Sequence, residues 1–288
     1  MFNKGSELIN LCKTQNKKIW EIVIEKEIEE SNVSYEELMD SMNLVLDTMI
    51  NSANTALDKE IVSVSRLSGG DAKKMEDYKN RGNTISGQLI NSAMAKALST
   101  SEVNASMGKI VAAPTAGASG ILPSAILTVK DRFQLSHEDM IHGLFTAAGI
   151  GEIVAKNATI SGAEGGCQAE CGVASSMAAA SIVEMVGGSV EACFNAASFA
   201  LINIMGLVCD PIAGLVEFPC ALRNASGVVN ALVSADLALA GVKSMVPFDE
   251  VVDAMYKVGK AMPESLRETA LGGVAATPTG ENLKRRIL

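Results

Sequence analysis

The sequence predicts a mainly α fold: a compact multi-helix domain with buried loops rich in Gly and Pro. Three observations carry this. Apolar residues recur at helical spacing, as in Leu38, Met42, Val45 and Met49, which share one face at 3.6 residues per turn. Helix-start and helix-stop signals punctuate the chain from end to end. No stretch alternates apolar and polar residues in the way a half-buried strand would, and there is no repeat or low-complexity linker.

The elements follow in order. Ser34-Tyr35-Glu36-Glu37 is a capping-box pattern that opens the helix carrying Leu38 to Met49. Ser68-Gly69-Gly70-Asp71, followed by Lys73-Lys74, breaks the helical pattern; it reads as either a turn or a mobile lid. A helix is expected over 84–98, with Leu89, Ala93, Lys96 and Ala97 at helical spacing. The segment from Ala112 to Gly120, ending near Pro123, is too rich in Gly and Pro for a helix interior or a central strand. It lies between apolar segments, so it is expected inside, with its amides and hydroxyls as fixed donors. Ser136-His137-Glu138-Asp139 starts a helix expected to run through Ala148. The small-residue stretch from Cys171 to Val208 reads as two closely packed helices broken at Gly187-Gly188. Pro211 and Pro219 bound an irregular segment. A helix is expected over 249–261, and Pro263-Glu264-Ser265 opens another that Gly272-Gly273 ends.

With 288 residues, the chain can bury a sizeable core, and it reads as one domain over 1–288. Apolar residues make up 48% and aromatics 4%, so Ala, Val, Ile, Leu and Met must build that core. Net charge is −9 and the longest basic block is Lys284-Arg285-Arg286, which argues against nucleic acid as a partner. The first 18 residues have no apolar core of a signal peptide, so a cytoplasmic location is expected. The most membrane-like stretch, 192–208, is short for a span and carries Asn195 and Asn203. It is expected as a buried helix, with no membrane partner.

Five of the six Cys fall between Cys167 and Cys220, and Cys12 stands apart. Without a secretion signal, metal binding or redox chemistry gains weight over disulfides. Cys167 follows Gly165-Gly166, Cys209 precedes Asp210-Pro211, and Cys220 follows Pro219. Glycines there would let backbone amides approach a metal–sulfide core. The spacing is neither that of ferredoxins nor that of zinc fingers, so spacing alone leaves open that these are small buried hydrophobes.

The motifs themselves resemble the iron–sulfur-dependent L-serine dehydratases of bacteria over nearly the whole chain. Pro-Thr-x-Gly-Ala-x-Gly appears from Pro114 to Gly120 and Gly-Ala-x-Gly-Gly-Cys-Gln from Gly162 to Gln168. Gly-Leu-Val-Cys-Asp-Pro-Ile spans Gly206 to Ile212, with Pro219-Cys220 following eleven positions after that Cys. The resemblance implies the α subunit of an enzyme that converts L-serine to pyruvate and ammonia. It implies a [4Fe–4S] cluster held by Cys167, Cys209 and Cys220, with one iron lacking a protein thiolate. Some single-chain relatives cap that iron with a terminal Cys; this sequence ends Arg286-Ile287-Leu288 instead. Cys171 is not counted as a ligand, and Cys12 and Cys193 are expected to be structural.

Such an iron would act as a Lewis acid. Thr115, Gly117 and Ser119 are the candidates for gripping the substrate carboxylate or amine. The base is not identified; His137 and His142 are the only histidines, and His142 is the in-chain candidate. The family's Ser-Ser-His-Thr stretch is missing here, which implies a β subunit that completes the site. Pyridoxal phosphate is disfavoured because Ser68–Asp71 lacks the usual Ser-x-Lys-x-Arg-Gly context. The competing readings are a related cluster dehydratase for another hydroxy or amino acid, a non-catalytic iron–sulfur electron carrier, and a small helical membrane protein.

Overall fold

The computed structural model describes residues 2–287; the terminal Leu288 of the sequence reading lies outside them. The helices are α1 (Gly5–Gln15), α2 (Ile19–Ser31), α3 (Tyr35–Asn54), α4 (Asp71–Asn80), α5 (Gly87–Ala105), α6 (Ile121–Phe133), α7 (His137–Asn157), α8 (Gly162–Gly165), α9 (Val173–Met185), α10 (Val190–Asn203), α11 (Cys220–Leu239), α12 (Phe248–Ala261) and α13 (Pro278–Ile287). Among the described residues there is no strand, only two isolated bridges, Val62 with Gly69 and Cys209 with Arg267. The mainly α expectation holds.

Helix α9 is the axis of the bundle. Every residue from Val173 to Glu184 is buried, and α6, α7, α10 and α11 pack around it. A helix that is apolar or small on all sides is stable only in such a position. Its Ala and Ser residues let neighbours come close: Ser175 Oγ donates to the carbonyls of Cys171 (2.7 Å) and Gly227 (3.0 Å), joining α9 to α11.

The capping box at Ser34 forms, with Glu37 N donating to Ser34 Oγ at 3.2 Å and Ser34 N to the Glu37 carboxylate at 2.9 Å. Ser136 and Asp139 cap α7 in the same way. That helix runs to Asn157 rather than stopping at Ala148. Gly149 and Gly151 look like breakers, but they are packing sites. A Cβ at Gly149 would stand 2.6 Å from Val23, and one at Gly151 would stand 2.9 Å from Met177. Helix α5 starts later than expected, at Gly87, whose φ is +74°, and continues seven residues further. The break at Gly187-Gly188 separates α9 from α10 as expected.

Helices α4, α6, α8, α11 and α13 were not foreseen. The N-terminal amides of α4 are capped from another helix: Asp71 N and Ala72 N donate to Glu102 Oε1 at 2.5 and 3.0 Å. Pro123 falls in the first turn of α6, where no amide is needed. Helix α11 opens directly at Cys220. The expected helix after Pro263 is a correction: only a single turn, Glu264–Leu266, forms. The backbone then extends to bridge Cys209, whose amide donates to Leu266 O (2.8 Å) and whose carbonyl accepts from Glu268 N (2.7 Å).

The Ser68–Asp71 loop is a tight turn. Ser65 and Ser68 hydroxyls donate to the Glu217 carboxylate at 2.8 and 2.7 Å. Residues 192–208 lie largely in the core helix α10, and no helix among the described residues is long and apolar enough to cross a membrane.

Candidate metal centre

Four segments made of loops and short helical turns, 112–120, 161–172, 206–219 and 264–274, meet beside the N-terminal ends of α9 and α11. Gly166 has φ +74°, and a Cβ there would come within 2.8 Å of Leu207 O, so the position suits glycine alone. Cys167 follows and leads into a wide π turn, Gln168–Gly172, a feature common at functional sites. The buried Gln168 side chain accepts from Gly206 N (2.8 Å) and donates to Met255 O (3.0 Å), while its amide donates to Leu207 O (3.1 Å). One side chain thus fixes the Cys167 segment to the strand-like stretch before Cys209.

The ligand atoms of Cys167, Glu170 and Cys209 lie within 4.8 Å of one another. Glu170 Oε2 is 4.0 Å from Cys167 Sγ and 3.9 Å from Cys209 Sγ. Its other oxygen, Oε1, accepts from Thr115 Oγ1 at 2.8 Å. Glycines keep space around this carboxylate. A Cβ at Gly162 would stand 2.6 Å from Oε2 and 3.1 Å from Cys209 Sγ, and one at Gly117 would stand 3.3 Å from Oε1.

Arg223, one turn into α11, is the counter-charge. Its Nη1 donates to Cys167 Sγ (3.3 Å) and its Nη2 to Asp210 Oδ1 (2.5 Å). Asp210 also accepts from Val274 N at 2.6 Å. Hydrogen bonds from the Cys171 and Cys209 thiols, with the charge of Arg223, pull the Cys167 thiol well below its ordinary value. Burial and the negative charge of Cys167 push Glu170 up to about 7. Burial, with the same negative neighbours, pushes Cys220 up to about 12.

Asn224 ties the Thr115 loop to α11. It donates to Gly117 O (2.6 Å) and Cys220 O (2.9 Å), and accepts from Gly120 N (2.8 Å).

The sequence candidates land as follows. Cys167 and Cys209 come together. Cys220 is buried at the head of α11, one turn before Arg223, and stands outside the tight group of three. Thr115 and Gly117 border Glu170, whereas Ser119 Oγ closes its own turn on Ala116 O at 2.8 Å. Cys171, set aside on sequence, is buried at the end of the same π turn, four residues on from Cys167. His142 stacks face to face on Trp20, with centroids 3.6 Å apart, and shares a cavity with Glu184. Glu184 is at the far end of α9, about 18 Å from the cysteine end at 1.5 Å per residue. His142 is therefore not in the thiol group. Cys12 and Cys193 are buried elsewhere in the core. Glu170, Arg223, Asp210 and Asn224 were not singled out from sequence. The signal for Glu170 was present: a carboxylate three residues after Cys167, in a stretch otherwise of Gly, Ala, Cys and Gln.

Soft thiolates gathered with one carboxylate suit iron–sulfur or zinc chemistry, so these residues fit the cluster that the motifs imply. Fold and site together define an all-helical protein with a buried thiol–carboxylate group able to bind metal. The chain belongs to the serine dehydratase alpha chain family, whose profile matches residues 14–275. It is 52% identical over 288 residues to the L-serine dehydratase, alpha chain, of Peptoniphilus asaccharolyticus, covering 100% of this chain and 99% of that one. It is 48% identical over 287 residues to the probable L-serine dehydratase, alpha chain, of Bacillus subtilis (strain 168), covering 100% and 95%. The L-serine dehydratase of Helicobacter pylori (strain ATCC 700392 / 26695) is 37% identical over 284 residues, covering 96% of this chain and 62% of that longer one.

Proposed function

We propose that this chain is the α subunit of an iron–sulfur L-serine dehydratase, a lyase that forms pyruvate and ammonia. The observation that carries the reading is the convergence of Cys167 and Cys209 on one buried site beside the Thr115 loop and the head of α11. Cys167, Cys209 and Cys220 would hold a [4Fe–4S] cluster. A cluster held there would supply Lewis-acid chemistry toward the carboxylate and hydroxyl of serine.

The chain's own residues do the rest. Arg223 offsets the charge of the Cys167 thiolate and, through Asp210, fixes the loop that carries Cys209. Thr115 and Gly117 line the approach, with Ser119 holding their turn closed. In the elimination, the Cα–H bond of serine breaks, its electron pair forms the Cα=Cβ bond, and the hydroxyl leaves. The aminoacrylate product tautomerises and hydrolyses without further help.

The base belongs to a β subunit on this reading, because His142 sits at the opposite end of α9. Relatives named as alpha chains, and single-chain relatives with additional length, support a two-chain enzyme. The enzyme would work in the cytoplasm as one catalytic domain per α chain.

The proximity of Cys171 to Cys167 favours one second reading, a fully thiolate-ligated electron carrier. The test is anaerobic reconstitution with iron, sulfide and the partner chain, followed by pyruvate assays on L-serine, D-serine and L-threonine. Pyruvate from L-serine is expected. An intact brown chromophore without pyruvate would reject the dehydratase. A Cys171→Ala variant that loses the chromophore would favour the carrier.

A further inference from the structure

We infer that Glu170 is a ligand of the iron that L-serine occupies, and that the substrate displaces it. The inference rests on the dehydratase reading for its substrate, but its structural part stands on the carboxylate alone.

Position is the first argument. Oε2 lies 4.0 Å from the Cys167 sulfur and 3.9 Å from the Cys209 sulfur, so the carboxylate borders the space that a group held by those thiolates would fill. The second is hydrogen bonding. Oε1 is engaged by Thr115, whereas the one thiol donor beside Oε2 is that of Cys209, because the Cys167 sulfur carries the charge that Arg223 offsets. Metal ligation removes that thiol proton. Oε2 then keeps no protein donor, and an unpartnered buried carboxylate oxygen is costly. Iron is the partner that removes the cost.

Space is the third argument. Any side chain at Gly162 would press on Oε2, and one at Gly117 on Oε1. The two glycines thus let the carboxylate lie directly against backbone, held from the other side by Thr115. Chemistry is the fourth. A carboxylate is a harder donor than a thiolate and binds iron less firmly. Serine arrives with the same donor type, so one carboxylate replaces another while the three thiolates stay in place. The iron is thereby kept from water and oxidants in the absence of substrate.

Glu170→Gln keeps the shape and an acceptor for Thr115 but loses the charge. The first measurement titrates the metal-free chain with Co2+ alone and follows the thiolate-to-cobalt absorption. E170Q is expected to keep that absorption and bind Co2+ about tenfold more weakly. Thr115→Val, which keeps the carboxylate but removes the hydrogen bond that orients it, is expected to weaken Co2+ binding as well, as the loss of an outer partner of a ligand does. An E170Q affinity within about twofold of wild type would overturn the ligand assignment.

The second measurement uses the iron-loaded complex. L-serine is titrated against the electron paramagnetic resonance signal of the reduced cluster. E170Q is expected to reach half-saturation at several-fold lower serine, because no internal carboxylate competes. Half-saturation at equal or higher serine would overturn the displacement. Serine leaving the wild-type signal unchanged would instead fail the substrate reading, while the cobalt comparison still judges Glu170.

Discussion

Asn224 donates to Gly117 O and Cys220 O and accepts from Gly120 N, so one amide sets the distance between the Thr115 loop and α11. Asn224→Ala strands a buried amide and a buried carbonyl, each worth about 1–3 kcal/mol. Urea unfolding of the metal-free chain should show a loss of about 3 kcal/mol; a loss below about 1 kcal/mol would mean that water replaces the amide. Cys209→Ala tests the metal directly: with two motif thiolates left, the reconstituted chain should be colourless, and full iron content would remove Cys209 from the ligand set.

His142 offers a pH test away from the site. Burial against Trp20 lowers its pKa, opposed by Glu138, Asp139 and Glu21, and Lys18 and Glu184 line the same cavity. A lowered histidine pKa means that the unfolded chain takes up the proton more readily. The neutral ring's contribution is therefore present above the ordinary value of 6.5 and is lost as pH falls through the folded value. Against His142→Phe, which keeps the stack, wild type should lose stability as pH falls below about 6.5. Parallel stability curves for the two proteins would refute it. The thiols and Thr115 are legible from sequence because their residue types and motifs announce them. Glu170 has one local signal, its place three residues after Cys167, but its Cys209 contact spans 39 positions, and the bonds of Arg223 to Cys167 and of Asn224 to Gly117 span 56 and 107, which spacing cannot show.

At the scale of elements, helices with local signals are legible and those with remote ones are not. Ser34 and Ser136 carry their caps within three residues, so α3 and α7 are found at the correct starting point. Helix α4 takes its cap from Glu102 on α5, and α11 opens at Cys220 after a loop that reads as irregular. The glycines of α7 mislead because packing against Val23 and Met177 outweighs their weak helix propensity. A similar close approach gives a prediction for α12. A Cβ at Gly259 would lie 2.7 Å from Gly165 Cα and 3.1 Å from Gly165 O, both backbone atoms that cannot turn aside. Gly259→Ala should therefore push α12 off the segment that leads to Cys167, costing about 1–3 kcal/mol. Because Gln168 bonds to Met255 on the same helix, iron content should fall with stability. An unchanged melting temperature with full iron would show that the two backbones separate freely.

At the scale of the molecule, the helical core and the site differ in what holds them. The core around α9 is closed by apolar packing that runs through α2, α3, α6, α7, α10 and α11. The site segments, 112–120, 161–172, 206–219 and 264–274, are joined chiefly by single hydrogen bonds such as those of Gln168, Asp210 and the Cys209–Arg267 bridge. A metal bound to Cys167, Cys209 and Cys220 adds strong bonds across three positions on two of those segments and the start of α11. Its binding free energy therefore appears as folding stability of those segments first. Hydrogen exchange separates this from a general effect. On loading the cluster, amides of 161–172 and 206–219 should slow strongly, 264–268 should follow through the Cys209 bridge, and the middles of α5 and α7 should change little. Melting should rise by roughly 10 °C, as a gain of a few kcal/mol does in a chain of this size. Slowing spread evenly over all helices would mean that the metal stabilises the bundle rather than the loops. No slowing at 206–219 would place Cys209 outside the metal's reach.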